Sequence, residues 1–190
     1  ANNPPEGEPA VAGCSETEEP EPRPNQSATP AETVSVEILW DRCVASWSRR
    51  IGISDHRIID AVQIAARSRG FDSGQVGIRI TDDVSIHEIN LKHLSHDYPT
   101  DVISFSYSDS SGRIEGELVT SVETAEQNAA SAGWDTASEL LLYVIHGVLH
   151  LGGMDDHTEV DRADMRAAER DVMMRLGIDF DPPGEEVPSE

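Results

Sequence analysis

Three histidines lie close together in one apolar stretch, "ELLLYVIHGVLHLGGMDDH", which runs from Glu139 to His157. Successive residues of an α-helix turn by about 100°, so positions four apart share a face and carry Cβ atoms roughly 5–6 Å apart. His146 and His150 therefore point the same way. Two imidazoles on adjacent turns can present nitrogen to one ion at ~2.0–2.1 Å, held by a helix rather than by a loop that must first be ordered. Gly152 and Gly153 let the helix stop and the chain turn back, because glycine enters the left-handed backbone region at little cost. That reversal brings His157 toward the same point. Three ligands converge and a fourth position is left for water, which is the pattern of a catalytic zinc site rather than a closed structural one. A lone histidine in an apolar run is ordinarily a core residue hydrogen-bonded to the backbone. Three together are hard to satisfy without a shared cation. Ligation by imidazole without cysteine favours one Zn2+ per chain, nickel, copper and iron being the other metals such ligands suit. Gly147 stands where zinc proteases of the HExxH type carry a general-base glutamate, which argues against peptide hydrolysis. A glycine there also lets another group approach closely.

The elements that must hold these residues can be read from periodicity. "VSVEILW" alternates as a strand, and "SDHRIIDAVQIAARSRG" places Ile58, Ile59, Val62, Ala65 and Ala66 at helical spacing between an N-cap at Ser54 and a stop at Gly70. "QVGIRIT" alternates again, with Val76, Ile78 and Ile80 on one face, and Asp82 or Asp83 can cap a following helix, "VSIHEINLKHL". "VISFSY" and "IEGELVTSV" flank the turn "SDSSG" and read as antiparallel neighbours. Three helices follow: one stopped by Gly133, the histidine helix, and one stopped by Gly177. A hairpin among clustered helices predicts an α+β domain, a small mixed four-stranded sheet packed with about five helices.

Composition limits what this domain can be. The proline- and acid-rich opening, residues 1–33, and the similar 181–190 are expected to be disordered tails around a folded region over 34–180. The formal net charge is -22. Removing residues 1–33 and 179–190 leaves 24 acids against 13 bases, so the folded part is itself acidic. Such a domain repels nucleic acid at long range and is no general RNA- or DNA-coating protein. The two cysteines suggest neither a disulfide framework nor a thiolate metal site. The opening residues show no leader pattern, and no apolar run approaches the ~20 residues needed to cross a bilayer. Cytoplasm is the expected compartment, with no membrane partner and no organic cofactor.

"HGVLHLGGMDDH" resembles the H-G-x-L-H-L-x-G-[aromatic or Met]-D-H signature of the YbeY family, bacterial metal-dependent endoribonucleases. "IRITDD", "IHEIN", "HDYPTDVISF" and "GELVTSVETAEQNA" resemble further segments of that family in the same order, so the likeness spans nearly the whole folded region. It implies an α+β fold with a zinc-metalloprotease-like metal helix, a zinc held by three histidines, single-stranded RNA as substrate, and a role in ribosomal RNA maturation and ribosome quality control on the small subunit. Two departures matter. The family's third histidine comes six residues after the second, where this chain has Asp156, with His157 one residue later. His157 is the expected ligand, reached through a one-residue bulge, and Asp156 is its rival because carboxylate oxygen also binds zinc. The family's loop arginine is replaced by Leu94, so His96, Lys92 or Arg79 would have to meet the RNA backbone.

The remaining candidates each have an ordinary reading beside the functional one. Asp155 and Asp156 can orient a ligand or relay a proton, or simply cap the next helix. Thr100 and Asp101 can line the cleft with His96, or serve as turn residues after a proline. Arg79 can reach RNA from its strand, or merely face solvent. His56, His87 and His93 are expected on exposed helix faces, and Trp40, Trp47 and Trp134 in packing rather than base stacking. Three functions are consistent with this set: an endoribonuclease, a zinc-stabilised ribosome-associated assembly factor that does not cut, and a metallohydrolase of another substrate.

Overall fold

Alternating strands and amphipathic helices follow one another in the order that periodicity requires. The computed structural model describes residues 33–94, 100–107 and 112–179. His96 and the two predicted tails, apart from Thr33, lie outside the described residues. Strand β1 (Val34–Trp40) leads through a 3-10 turn (Arg42–Val44) and α1 (Trp47–Ile51) to α2 (Asp55–Ser68) and β2 (Ser73–Thr81). Next come α3 (Asp83–Leu94), β3 (Val102–Ser106), β4 (Arg113–Ser121), α4 (Val122–Ala132), α5 (Thr136–Leu151) and α6 (Glu159–Arg175). The sheet order is β1-β2-β4-β3. β1, β2 and β4 run parallel, and β3 pairs antiparallel to β4 as the edge strand. This is the mixed four-stranded sheet of an α+β domain.

Strand alternation sorts the two faces of the sheet. Val76, Ile78 and Ile80 of β2 and Ile114 and Leu118 of β4 enter the core with α2 and α5. Ile103 and Val119 turn to the other face, where Ile86 of α3 covers them. α5 is buried round most of its circumference, so its apolar run is the centre of the core rather than a membrane span. No helix among the described residues is long and apolar enough to cross a membrane.

Glycines set how closely α5 approaches the sheet. A Cβ on Gly147 would stand 2.7 Å from Leu118 Cδ2, and one on Gly116 would stand 2.7 Å from Leu151 Cδ2. The close approach expected at Gly147 is thus made by the sheet. Several details depart from expectation: β2 begins two residues early, at Ser73, and β3 ends one residue early, at Ser106. Periodicity does not predict α1, because five residues are too few to show a period. β4 ends one residue early, at Ser121, whose hydroxyl accepts from Thr124 N and starts α4. Trp40, Trp47 and Trp134 pack, partly buried, against the core.

Candidate metal centre

The C-terminal turn of α5 builds half of the site. Met154 N donates to Leu149 O at 3.0 Å and Gly153 N to His150 O at 2.9 Å, the paired bonds of a Schellman motif. Only Gly153 needs the left-handed region, at φ 84. Gly152 is small for another reason: a Cβ there would lie 2.9 Å from Arg69 Cγ. The turn folds the Met154 carbonyl back over the helix end, where it stands 3.0 Å from His150 Nδ1.

Helix α6 builds the other half. Its capping box, Thr158 with Asp161, fixes where it starts. Capping therefore falls to Thr158, and neither Asp155 nor Asp156 is used for it. Glu169, about three turns further on, is 7% exposed and places Oε1 2.7 Å from His146 Nδ1. Arg162 donates to the carbonyls of Asp156 at 3.2 Å and His157 at 2.9 Å, tying the intervening loop to α6.

These partners decide where the ring protons sit. A carbonyl and a carboxylate both accept, so His150 and His146 each donate from Nδ1, and each ring in its neutral form carries its lone pair on Nε2. Those two Nε2 atoms face one another at 2.9 Å. Asp156 Oδ2 lies 3.8 Å from one and 3.9 Å from the other. Lone pairs and a carboxylate oxygen aimed at one point repel unless a proton or a metal ion stands between them. The donor set of two imidazole nitrogens and one carboxylate oxygen suits zinc. Burial works against the charged form of His146, but the hydrogen bond to Glu169 and the charges of Glu169, Asp101 and Asp156 outweigh it and raise its pKa above the ordinary imidazole value.

The other expected site residues divide into near and far. His157 does not join the pair: its side chain is 83% exposed, with Nε2 3.4 Å from Asp155 Oδ1. Asp156, six residues after His150, takes the inward place instead. Asp155 Oδ1 accepts from Asp156 N at 2.8 Å, so it shapes the loop that carries Asp156. Thr100 and Asp101 open β3, beside α5. Asp101 Oδ1 accepts from Thr100 Oγ1 and Val102 N, each at 2.9 Å, and its charge is felt at His146. Arg79 is not brought to the histidines. Its neighbours Ile78 and Ile80 face α2 and α5, so Arg79 faces the opposite side of the sheet, where its Nε and Nη2 grip Asp41 Oδ2 at 3.0 and 2.9 Å. The carboxylate of Asp41 raises the pKa of Arg79.

The family model for "Endoribonuclease YbeY" matches residues 52–177. The chain belongs to the YbeY endoribonuclease family. Among YbeY relatives, an "Endoribonuclease YbeY" of Rhodopirellula baltica is 42% identical over 157 residues, 80% of this chain and 81% of the relative. One from Desulfitobacterium hafniense is 33% identical over 137 residues, 67% of this chain and 85% of its own. A solution structure from Thermotoga maritima, TM1509, matches with a TM-score of 0.46 and 22% identity, covering 79% of this chain and 99% of that one.

Sequence reasoning missed Glu169 and the Met154 carbonyl. The carbonyl has no side-chain signature. Glu169 has one: it sits in the buried stripe Met165, Glu169, Val172, Met173, where helical spacing calls for an apolar residue.

Proposed function

We propose that this chain is a metal-dependent endoribonuclease cutting single-stranded RNA, with one zinc held by His146, His150 and Asp156. The observation that carries the reading is the facing pair of Nε2 lone pairs with a carboxylate oxygen beside them. A zinc ion there would supply Lewis acidity to a phosphodiester oxygen or a water. The chain's own part is to keep both rings in one tautomer, to hold Asp156 through the Asp155 and Arg162 contacts, and to place the Asp101 carboxylate at the start of the edge strand beside α5. There Asp101 and Thr100 orient the RNA or take up a proton, while the acidic surroundings select an unpaired strand that can bend to a local site. Asp155 serves as a loop residue and His157 as an exposed contact for substrate, and His96 is kept as a substrate-binding residue on the sequence alone. Arg79, engaged by Asp41, is left out of the chemistry. The domain proposed to act this way spans 34–180, and its proposed setting, which family membership supports, is ribosomal RNA maturation and quality control at the small subunit, in the cytoplasm.

Purified protein incubated with an RNA bearing a single-stranded tail tests this. Cleavage is expected to stop with chelator, with His146→Ala and with Asp156→Ala, and to persist in His157→Ala. Cleavage that survives chelation and His146→Ala would come from a contaminant and would leave the reading without support. Zinc binding and ribosome association with no cleavage would favour the non-cutting assembly factor.

A further inference from the structure

Glu169 is an anomaly as a core residue. It is 7% exposed on a helix whose neighbouring inward positions are Met165, Val172 and Met173. A buried carboxylate costs stability unless it is paired, and an apolar side chain of similar volume would fill the same space without that cost. What the carboxylate reaches, across from α6 to α5, is His146 Nδ1 at 2.7 Å. The two imidazoles of the cluster are thus held differently. His150 is held by a main-chain carbonyl, which carries no net charge and which no side-chain substitution can remove. His146 is held by a full negative charge on another helix.

We infer that Glu169 is a positioning residue for the metal centre: it fixes the proton of His146 on Nδ1, turns the Nε2 lone pair toward His150 and Asp156, and makes α6 part of the site. The inference rests on the reading of His146, His150 and Asp156 as the metal ligands. A partner of this kind holds the ring in one orientation and increases the basicity of the ligating nitrogen, and its loss ordinarily weakens metal binding by about 10–100-fold. Packing alone predicts something different, namely a change in folding stability with no change in zinc affinity.

Three proteins separate these roles: wild type, Glu169→Gln and Glu169→Met. Zinc affinity is read by competition with a chromophoric chelator, and the tautomer of His146 in the metal-free protein by the 15N shifts of its ring. Glutamine can still accept from Nδ1, so Glu169→Gln should keep the Nδ1–H tautomer and lose about tenfold or less in affinity, at the weak end of the usual range. Methionine cannot accept in that geometry. Glu169→Met should populate both tautomers and lose about 10–100-fold in affinity, while the metal-free protein melts no lower than wild type. Zinc bound by Glu169→Met as tightly as by wild type would overturn the inference. So would equal losses in the glutamine and methionine variants, since orientation would then count for nothing. A His150→Ala control that binds zinc as tightly as wild type would be a different failure, one of the metal site itself.

Discussion

Asp156 and His157 are adjacent in sequence, yet only one of them faces the paired imidazoles. The loop from Gly153 to Thr158 is fixed at both ends, by the Schellman turn of α5 and the capping box of α6, and it is tied in the middle by Arg162. With its ends set, the residue six positions after His150 points inward and the next one outward. A consequence follows for substitution at that place. Asp156→His should retain zinc, because an imidazole at position 156 starts from the same inward backbone, whereas Asp156→Ala should bind it at least about tenfold more weakly, as expected for the loss of a ligand. Elemental analysis of the two purified variants checks this. Retention of full zinc by Asp156→Ala would return His157 to the ligand set.

At the scale of elements, α5 matters because everything in the site is measured from its seat on the sheet. Gly147 sets that seat. Alanine is favoured over glycine in a helix by about 1 kcal/mol, but overpacking a filled core costs about 1–3 kcal/mol. Leu118, the residue a new methyl would strike at 2.7 Å, is fully buried. The clash should therefore win. Gly147→Ala is expected to lower stability by about 1 kcal/mol in denaturant unfolding of the metal-free protein, and an unchanged or raised midpoint would show that the sheet yields freely. The start of α5 offers a pH test. Asp135 caps the helix, accepting from Ser138 N at 2.9 Å and Ser138 Oγ at 2.7 Å. Burial pushes the Asp135 pKa up, but those bonds and nearby main-chain N–H groups outweigh it, so the folded pKa lies below 3.8. Its stabilising contribution is then present above 3.8 and is lost as pH falls through the folded value. Asp135→Ala should cost about 1 kcal/mol at pH 7 and progressively less below 3.8, followed by chemical denaturation at both acidities.

At the scale of the whole molecule, a chain of net charge -22 must meet a polyanion. Bulk electrostatics oppose the encounter, and under the proposed function the attraction comes from the local metal site. Salt should therefore act opposite to its effect on a basic nuclease. Raising ionic strength from about 20 to about 150 mM shortens the screening length to about 8 Å, which weakens repulsion between distant charges more than it weakens contacts inside the site. The association rate with a non-hydrolysable single-stranded oligonucleotide should rise over that range, measured by stopped-flow with the zinc-loaded wild-type protein. A steep fall would mean that a basic surface, not a metal centre, gathers the RNA.

Periodicity was enough to specify the strands, five of the six helices, the hairpin of β3 and β4 and the shared face of His146 and His150, because each depends only on local spacing and capping. The same alternation that puts Ile78 and Ile80 on one face already puts Arg79 on the other. What local rules could not decide was which face α5 would cover, and hence that Arg79 stands away from the histidines. They also could not select Asp156 over His157, or bring Glu169 to a ring 23 residues earlier in the chain. Those outcomes depend on how two helix ends constrain the loop between them and on which side chains meet across the α5–α6 interface. Both are properties of packing in three dimensions, where a single register shift or a change of face exchanges one neighbour for another.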